Sequence, residues 1–317
     1  MCEVTVNERT CVVLMTYGSP ATLNDVPSYL RNIRSGREPD GALVSEFLRR
    51  YRLIGGSPLV HITAEQAERL QLELDGLNDG SSYKVVSGMR FSPPLIADVV
   101  KRAAPESGHV VGIIMSPQFS PIIMGGYVST LREAVASLHR DRLALKIAED
   151  WHLQPFFLEA VAQRVREGLA RFPHDIREEV PVLFTAHSMP KRVIEKDPDY
   201  IKQLKGTAAA VAELVGLQEG RWAFCYQSAG HTPEEWLKPD FADVMPELRK
   251  AGYAYVLIAP VQFLADHLEV LYDIEIGARQ QAEGAGMKFA RIESLNTSPL
   301  LIKALTEVVQ QTLAQAR

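Results

Sequence analysis

Apolar, β-branched runs recur along the chain, separated by stretches whose apolar positions follow helical spacing. The runs predict strands over 10–16, 84–89, 110–116 and 143–149, then over 181–185, 222–227, 255–261 and 287–292. They are continuous rather than alternating, as in strands covered on both faces. Helical periodicity falls between them, over 62–74, 95–103, 157–169, 200–214 and 241–250. Strands alternating with helices predict an α/β protein with parallel sheets.

The pattern also repeats. The run VLMTYGSP ending at Pro20 is echoed by VLFTAHSMP ending at Pro190, each a strand closed by a polar turn and a proline. Ser116-Pro117-Gln118-Phe119 is echoed by Ala259-Pro260-Val261-Gln262-Phe263, and Ser92-Pro93-Pro94 by Thr232-Pro233. Two α/β lobes are therefore expected, 1–152 and 153–317, each a four-stranded parallel sheet in flavodoxin-like order 2-1-3-4. A cleft between facing lobes would hold a sizeable ligand. The first half carries a longer connection between its first two strands. This insert, 21–58, is rich in Gly, Pro and Arg, which suits a flap over an anionic ligand better than a core element.

Composition narrows the function. The chain has 317 residues, 46% of them hydrophobic, and a net charge of -5. A pI near 5.9 argues against a nucleic-acid binder. No apolar run is long enough to cross a bilayer, and the first residues lack the pattern of a signal peptide, so a cytoplasmic protein is expected. Cys2, Cys11 and Cys225 are far apart, which favours neither a disulfide framework nor a cysteine metal site.

Candidate chemistry gathers after strands five and seven. His187 ends the predicted strand in FTAHSMP, and Glu269 and Asp273 follow the next-but-one strand in DHLEVLYD. Four residues apart, the carboxylates share a face of a helix, where like charges repel by a few tenths of a kcal/mol. Interleaving with Leu268, Val270, Leu271 and Tyr272 makes that helix half buried, so a shared proton or cation would relieve the repulsion. A solvated acidic stripe and a purely structural histidine are the alternative readings. Strands one and three of a lobe are neighbours, which brings His187 and Glu269 to one switch point. Tyr17 in MTYGSP stands at the facing strand end, as a cleft residue or a loop tyrosine packed on Pro20. Arg34 and Arg37 would meet ligand carboxylates or water, and Tyr127 and Trp236 would be cleft walls or core aromatics.

Taken together, VVLMTYGSP, IRSGREP, RYRLIGGSPL, GMRF, SPQFS, FTAHSMP, YQSAGHTPEEWLKPD and PVQFLADHLEVLYD resemble the ferrochelatases, which insert ferrous iron into a porphyrin. The resemblance runs nearly end to end and implies two facing Rossmann-like lobes of the chelatase type, with porphyrin between them. It implies His187 and Glu269 as the catalytic pair and Asp273 as the next member of an acidic file that admits Fe2+. It also implies Tyr17, Arg34, Ser57, Tyr127 and Trp236 as substrate-binding residues.

The Tyr-Gly pair at Tyr17 is similar to soluble coproporphyrin III ferrochelatases, where the tyrosine oxygen can ligate iron opposite the histidine. Three positions depart from the family. Gly277 stands where a further glutamate is common, Ser35 stands where another arginine is frequent, and GGSPL is one residue short. Ferrous iron and porphyrin are then substrates, with no resident cofactor and no iron–sulfur cluster, since no cysteine-bearing extension follows. A monomer without nucleic-acid or transmembrane partners is expected. The rival classes are a cobalt or nickel chelatase of another tetrapyrrole and a non-catalytic tetrapyrrole-binding protein. The former tends to use two histidines, and His267 is the candidate for the second; helical spacing turns it away from Glu269.

Overall fold

The structure, a computed structural model, describes residues 9–78, 80–230 and 234–315. Cys2 and the expected echo at Thr232-Pro233 lie outside the described residues. The first lobe contains β1 (Arg9–Thr16), α1 (Val26–Ile33), α2 (Gly41–Leu53), α3 (Leu59–Asp75), β2 (Tyr83–Met89), α4 (Ile96–Ala103), β3 (Ser107–Ile114), α5 (Pro121–Ala136) and β4 (Ala144–Ala148). The second contains α6 (Pro155–Leu169), β5 (Val182–His187), α7 (Lys191–Ile194), α8 (Asp199–Val215), β6 (Trp222–Gln227), α9 (Phe241–Lys250) and β7 (Tyr255–Pro260). A π-helix (Glu269–Ala278), α10 (Arg279–Gly284), β8 (Lys288–Arg291) and α11 (Pro299–Ala314) complete it.

Among the described residues the strands form two four-stranded sheets, ordered β2-β1-β3-β4 and β6-β5-β7-β8. Every pairing is parallel. This is the expected order in both halves. The central strands are the most apolar: Cys11, Val12, Val13, Leu14 and Met15 of β1 are all fully buried. Each such side chain withdrawn from water contributes roughly 1.5–3 kcal/mol. Helix starts follow local chemistry. Asp40 caps α2 by accepting from Leu43 N at 2.8 Å, and Ser120 caps α5 with Pro121 in its first turn.

The lobes share one core. A single apolar cluster joins Val12 and Leu14 of the first sheet to Phe184 and Leu257 of the second, through residues of α3, α6, α8 and α11. The last helix packs back on the first lobe, where Lys146 Nζ donates to Leu313 O at 2.7 Å. At the strand ends, buried Gln118 donates across the lobes to Val261 O at 3.2 Å.

The insert 21–58 differs from the expected flap without a core. Its helices α1 and α2 bury Val26, Leu30 and Tyr51 in a small cluster of their own, and Leu268 of the second lobe packs against it. The Gly and Pro residues break the insert into short helices, while its apolar positions still find a common face.

Candidate active site

The site is assembled from the carboxyl ends of both sheets. β5 runs straight into His187, whose backbone N donates to Gln262 Oε1 at 2.9 Å; Gln262 Nε2 in turn donates to the buried Tyr200 hydroxyl at 2.6 Å. The ring Nδ1 bonds the Ser188 carbonyl, which can only accept. The neutral ring therefore carries its proton on Nδ1 and presents the Nε2 lone pair to the cleft. Nε2 lies 3.6 Å from Glu269 Oε2. That oxygen is shielded from solvent and has no hydrogen-bond partner among the described residues. Two acceptors at this distance are complementary to a proton or a cation held between them. With ligand bonds of about 2.1 Å, one ion spans the gap.

Glu269 opens the π-helix, not the α-helix that the spacing predicts. A π-helix is a wider coil with i→i+5 bonds. Residues four apart therefore fall short of a full turn, and Asp273 is offset around the axis rather than stacked directly above Glu269. Even so the two carboxylates feel each other. Burial raises the Asp273 carboxyl above its ordinary range, opposed first by a hydrogen bond from Ser228; the Glu269 charge pushes it further up and the Arg50 cation pulls it down. His187, Glu269 and Asp273 form a file; among the described residues no three His, Cys, Asp or Glu side chains converge on one point. Glu275 leaves this file, paired with Arg279 and, at 2.7 Å, with Arg291 Nε. His267 sends Nδ1 to Ala265 O at 2.8 Å and packs edge-on against Phe263.

The insert reaches this file from the other lobe. Arg50 Nη1 lies 3.7 Å from Asp273 Oδ1, with its guanidinium 4.9 Å from the Tyr272 ring centre, and Arg49 bonds the Tyr272 hydroxyl. Glu46 fixes both arginines from within α2. Nothing in the spacing of RRYRL marks Arg50 as the partner of a carboxylate more than two hundred residues on; only the fold brings them together.

Across the cleft, Tyr17 follows β1 and is 42% exposed, its ring 4.6 Å from Phe91. Gly18, at φ 91°, turns the chain back at once; a Cβ there would meet Ser92 Oγ at 2.4 Å. Desolvation by the surrounding walls, with the Glu269 charge second, pushes the Tyr17 phenol up to about 12. Tyr127 is buried, its ring 5.3 Å from the Arg90 guanidinium. Arg90 passes over α5 at Gly126, where a Cβ would lie 1.8 Å from Nη2. Nothing in the spacing of GMRF gives Arg90 a role; its cation over the Phe91 and Tyr127 rings is visible only in three dimensions. Trp236 is half buried, with its ring 6.4 Å from His187. Arg34, at the end of α1, is exposed, and Ser57 lies in the turn before α3, where its Oγ accepts from Leu59 N at 3.4 Å. A separate groove of about 550 Å³, lined by residues such as Leu72, Lys84 and Arg102, lies along the β2 edge and includes none of these residues.

Comparison with known proteins gives the family. The family model described as Ferrochelatase matches residues 9–313. A ferrochelatase of Herpetosiphon aurantiacus is 39% identical, covering 95% of this chain and 98% of its own length. The coproporphyrin III ferrochelatases of Geobacillus kaustophilus and Bacillus subtilis are 36% and 34% identical, each covering 96% of this chain and, respectively, 96% and 98% of their own lengths. Among solved structures, SirB from Bacillus subtilis with Fe3+ shares the fold at a TM-score of 0.61 and 12% identity, over 97% of this chain and 96% of that one. A full-length family match and relatives above one-third identity establish the placement: the chain belongs to the ferrochelatase family.

Proposed function

We propose that this chain inserts ferrous iron into a porphyrin in haem biosynthesis, with coproporphyrin III preferred over protoporphyrin IX. The observation that carries the reading is His187 Nε2 facing the unpartnered Glu269 oxygen at 3.6 Å, with Tyr17 just past the matching strand of the first lobe. Metallation exchanges two pyrrole protons for one dication, so the site must accept protons and handle a cation within a few ångströms.

His187 Nε2 is the acceptor for a pyrrole proton, and Glu269 neutralises the imidazolium that results. Asp273 leads outward from this pair, giving the departing protons or the arriving iron a second carboxylate. A passive tetrapyrrole binder has no use for such a file. Tyr17 keeps its proton throughout the neutral range, so it offers a neutral oxygen and an aromatic wall. Phe91 extends that wall, and Trp236 lines the histidine side.

The preference for coproporphyrin III rests on cations. The exposed Arg34 guanidinium has no carboxylate partner among the described residues, and Arg90 has none beside Tyr17. Additional propionates would find charge-assisted bonds there, weaker where solvent screens them. Anaerobic incubation with ferrous iron and each porphyrin, followed by metalloporphyrin absorption, tests both statements. Faster insertion into coproporphyrin III is expected. Failure with both porphyrins would reject the activity, and a faster rate with protoporphyrin IX would reject the preference alone.

A further inference from the structure

Asn296 lies in the loop after β8, away from the cleft, yet it has an unusually full set of bonds. Its backbone is left-handed, at φ 46°, a conformation asparagine tolerates better than most residues. Its side chain pairs reciprocally with Asp266: Asp266 N donates to Asn296 Oδ1 at 2.9 Å, and Asn296 Nδ2 donates to Asp266 Oδ2 at 3.0 Å. Its backbone N donates to Leu264 O at 2.8 Å. Its carbonyl accepts from Gln66 Nε2 at 2.6 Å, and Gln66 belongs to α3 of the other lobe and is 1% exposed.

We infer that Asn296, anchored to the first lobe by Gln66, is a positioning residue for Glu269. The segment it holds, 264–266, leads directly into the π-helix that begins at Glu269. Asp266 is further fixed by Ser294 Oγ at 2.8 Å and Arg291 Nη2 at 3.4 Å. Arg291 Nε then reaches forward to Glu275 Oε2 at 2.7 Å, on the π-helix itself. The entry and the middle of the π-helix are thus tied to one loop, and that loop is tied to α3. A π-helix has a less favourable backbone than an α-helix and persists where surrounding contacts over-determine it. The chain from Gln66 through Asn296 to Asp266 supplies such contacts, and it references the Glu269 carboxylate to the lobe that carries Tyr17.

This deepens the proposed function and rests on it, since positioning matters only if Glu269 acts at the porphyrin. The decisive substitution is Asn296→Gly. Glycine adopts the left-handed backbone freely and keeps the main-chain bonds to Leu264 and Gln66, so it removes the side-chain pair with Asp266 alone. Gln66→Met removes the tie to the first lobe at similar volume. In Asn296→Gly, amide hydrogen exchange of 264–274 should accelerate while the β5 and β7 peptides keep their protection. The kcat should fall about ten- to a hundredfold, as for a reacting group displaced by up to an ångström. Porphyrin binding, read by fluorescence, should stay near that of the parent. Gln66→Met should show the same pattern in smaller degree.

Parental kcat and parental exchange in Asn296→Gly would overturn the inference, leaving asparagine as a turn residue only. A kcat loss matched by global loss of exchange protection would overturn it too. Hydrogen exchange does not depend on turnover. If the parent protein fails to insert iron, the proposed function falls, while the exchange data still report whether the segment is held.

Discussion

The two lobes use one scaffold for different ends, and the glutamine after the third strand of each shows how. Gln118 in the first lobe is buried and joins the lobes, donating to Thr207 Oγ1 at 3.0 Å and to Val261 O. Gln262, its counterpart in the second, holds the His187 backbone and the Tyr200 hydroxyl. The helices that follow diverge as well. In the first lobe α5 is a regular helix that contributes Gly126 and Tyr127 to an aromatic and cationic wall. In the second a π-helix delivers Glu269 and Asp273. Under the proposed function, the first lobe would hold the flat ring and the second would move protons and metal. Near-identical strand order therefore does not predict which lobe is the chemical one; the polar side chains at the strand ends decide it.

This division sets the expected order of mutational effects. His187→Ala, in the chemical lobe, should cost about 10²–10⁴-fold in kcat, the usual worth of a general base. Its thermal stability should stay within about 1 kcal/mol of the parent, because the side chain is 26% exposed at a strand end. Near-parental turnover would dissolve the contrast between the lobes. Glu269→Gln keeps size and removes charge; a loss of about a hundredfold or more is expected, with porphyrin still bound, and stopped-flow absorption together with fluorescence binding separates the two. In the wall lobe, Tyr17→Ala should raise the porphyrin KM about tenfold, roughly 1.4 kcal/mol, with a smaller change in kcat. Tyr17→Phe, which keeps the stack on Phe91, should leave that KM near its original value. If Tyr17→Ala instead destroyed kcat at saturating porphyrin, the first lobe would have to be counted among the chemical parts.

Much of this architecture was legible in the sequence. Buried parallel strands announce themselves as short continuous apolar runs, so every predicted strand is present, and the echo between the halves implied the same order in both. His187 and Glu269 were readable because strand-end residues of neighbouring strands converge by topology. What stayed hidden depended on contacts with no local signature. Carboxylates at Glu269 and Asp273 read alike in an α- and a π-helix, and Val270, Leu271 and Tyr272 between them suit either. Arg50 sits among several arginines in the insert and differs from them only by facing Asp273. The sequence fits Tyr127 to a wall or a core alike; it is buried, yet lies against Arg90, whose place follows from the bare surface at Gly126. Asn296 follows an ordinary apolar stretch, and nothing in ESLNTSP reports a left-handed backbone.

The smallest expected effect is at Asp273, where the two lobes meet through Arg50. Burial raises its carboxyl in the folded protein above the usual 3.8, with the Glu269 charge adding to the shift. Between the unfolded and folded values the native state holds more protons than the unfolded chain. Stability therefore falls as pH rises through that window, and above it the cost of the buried charge is fully present. Asp273→Asn removes this cost, while Arg50 keeps Glu46 at 2.7 Å. The variant should be as stable as the parent or more so at neutral pH, with the difference closing as pH falls below the raised value; denaturant melts at several pH values measure it. Its kinetics should run the other way. Loss of the outer carboxylate should raise the KM for ferrous iron a few-fold and leave kcat at saturating iron nearly intact. In the parent the iron KM should climb as pH falls through the Asp273 titration, and in Asp273→Asn that limb should be absent. A substitution that instead abolished kcat would place Asp273, rather than Glu269, at the ring, and would reverse the order of the file.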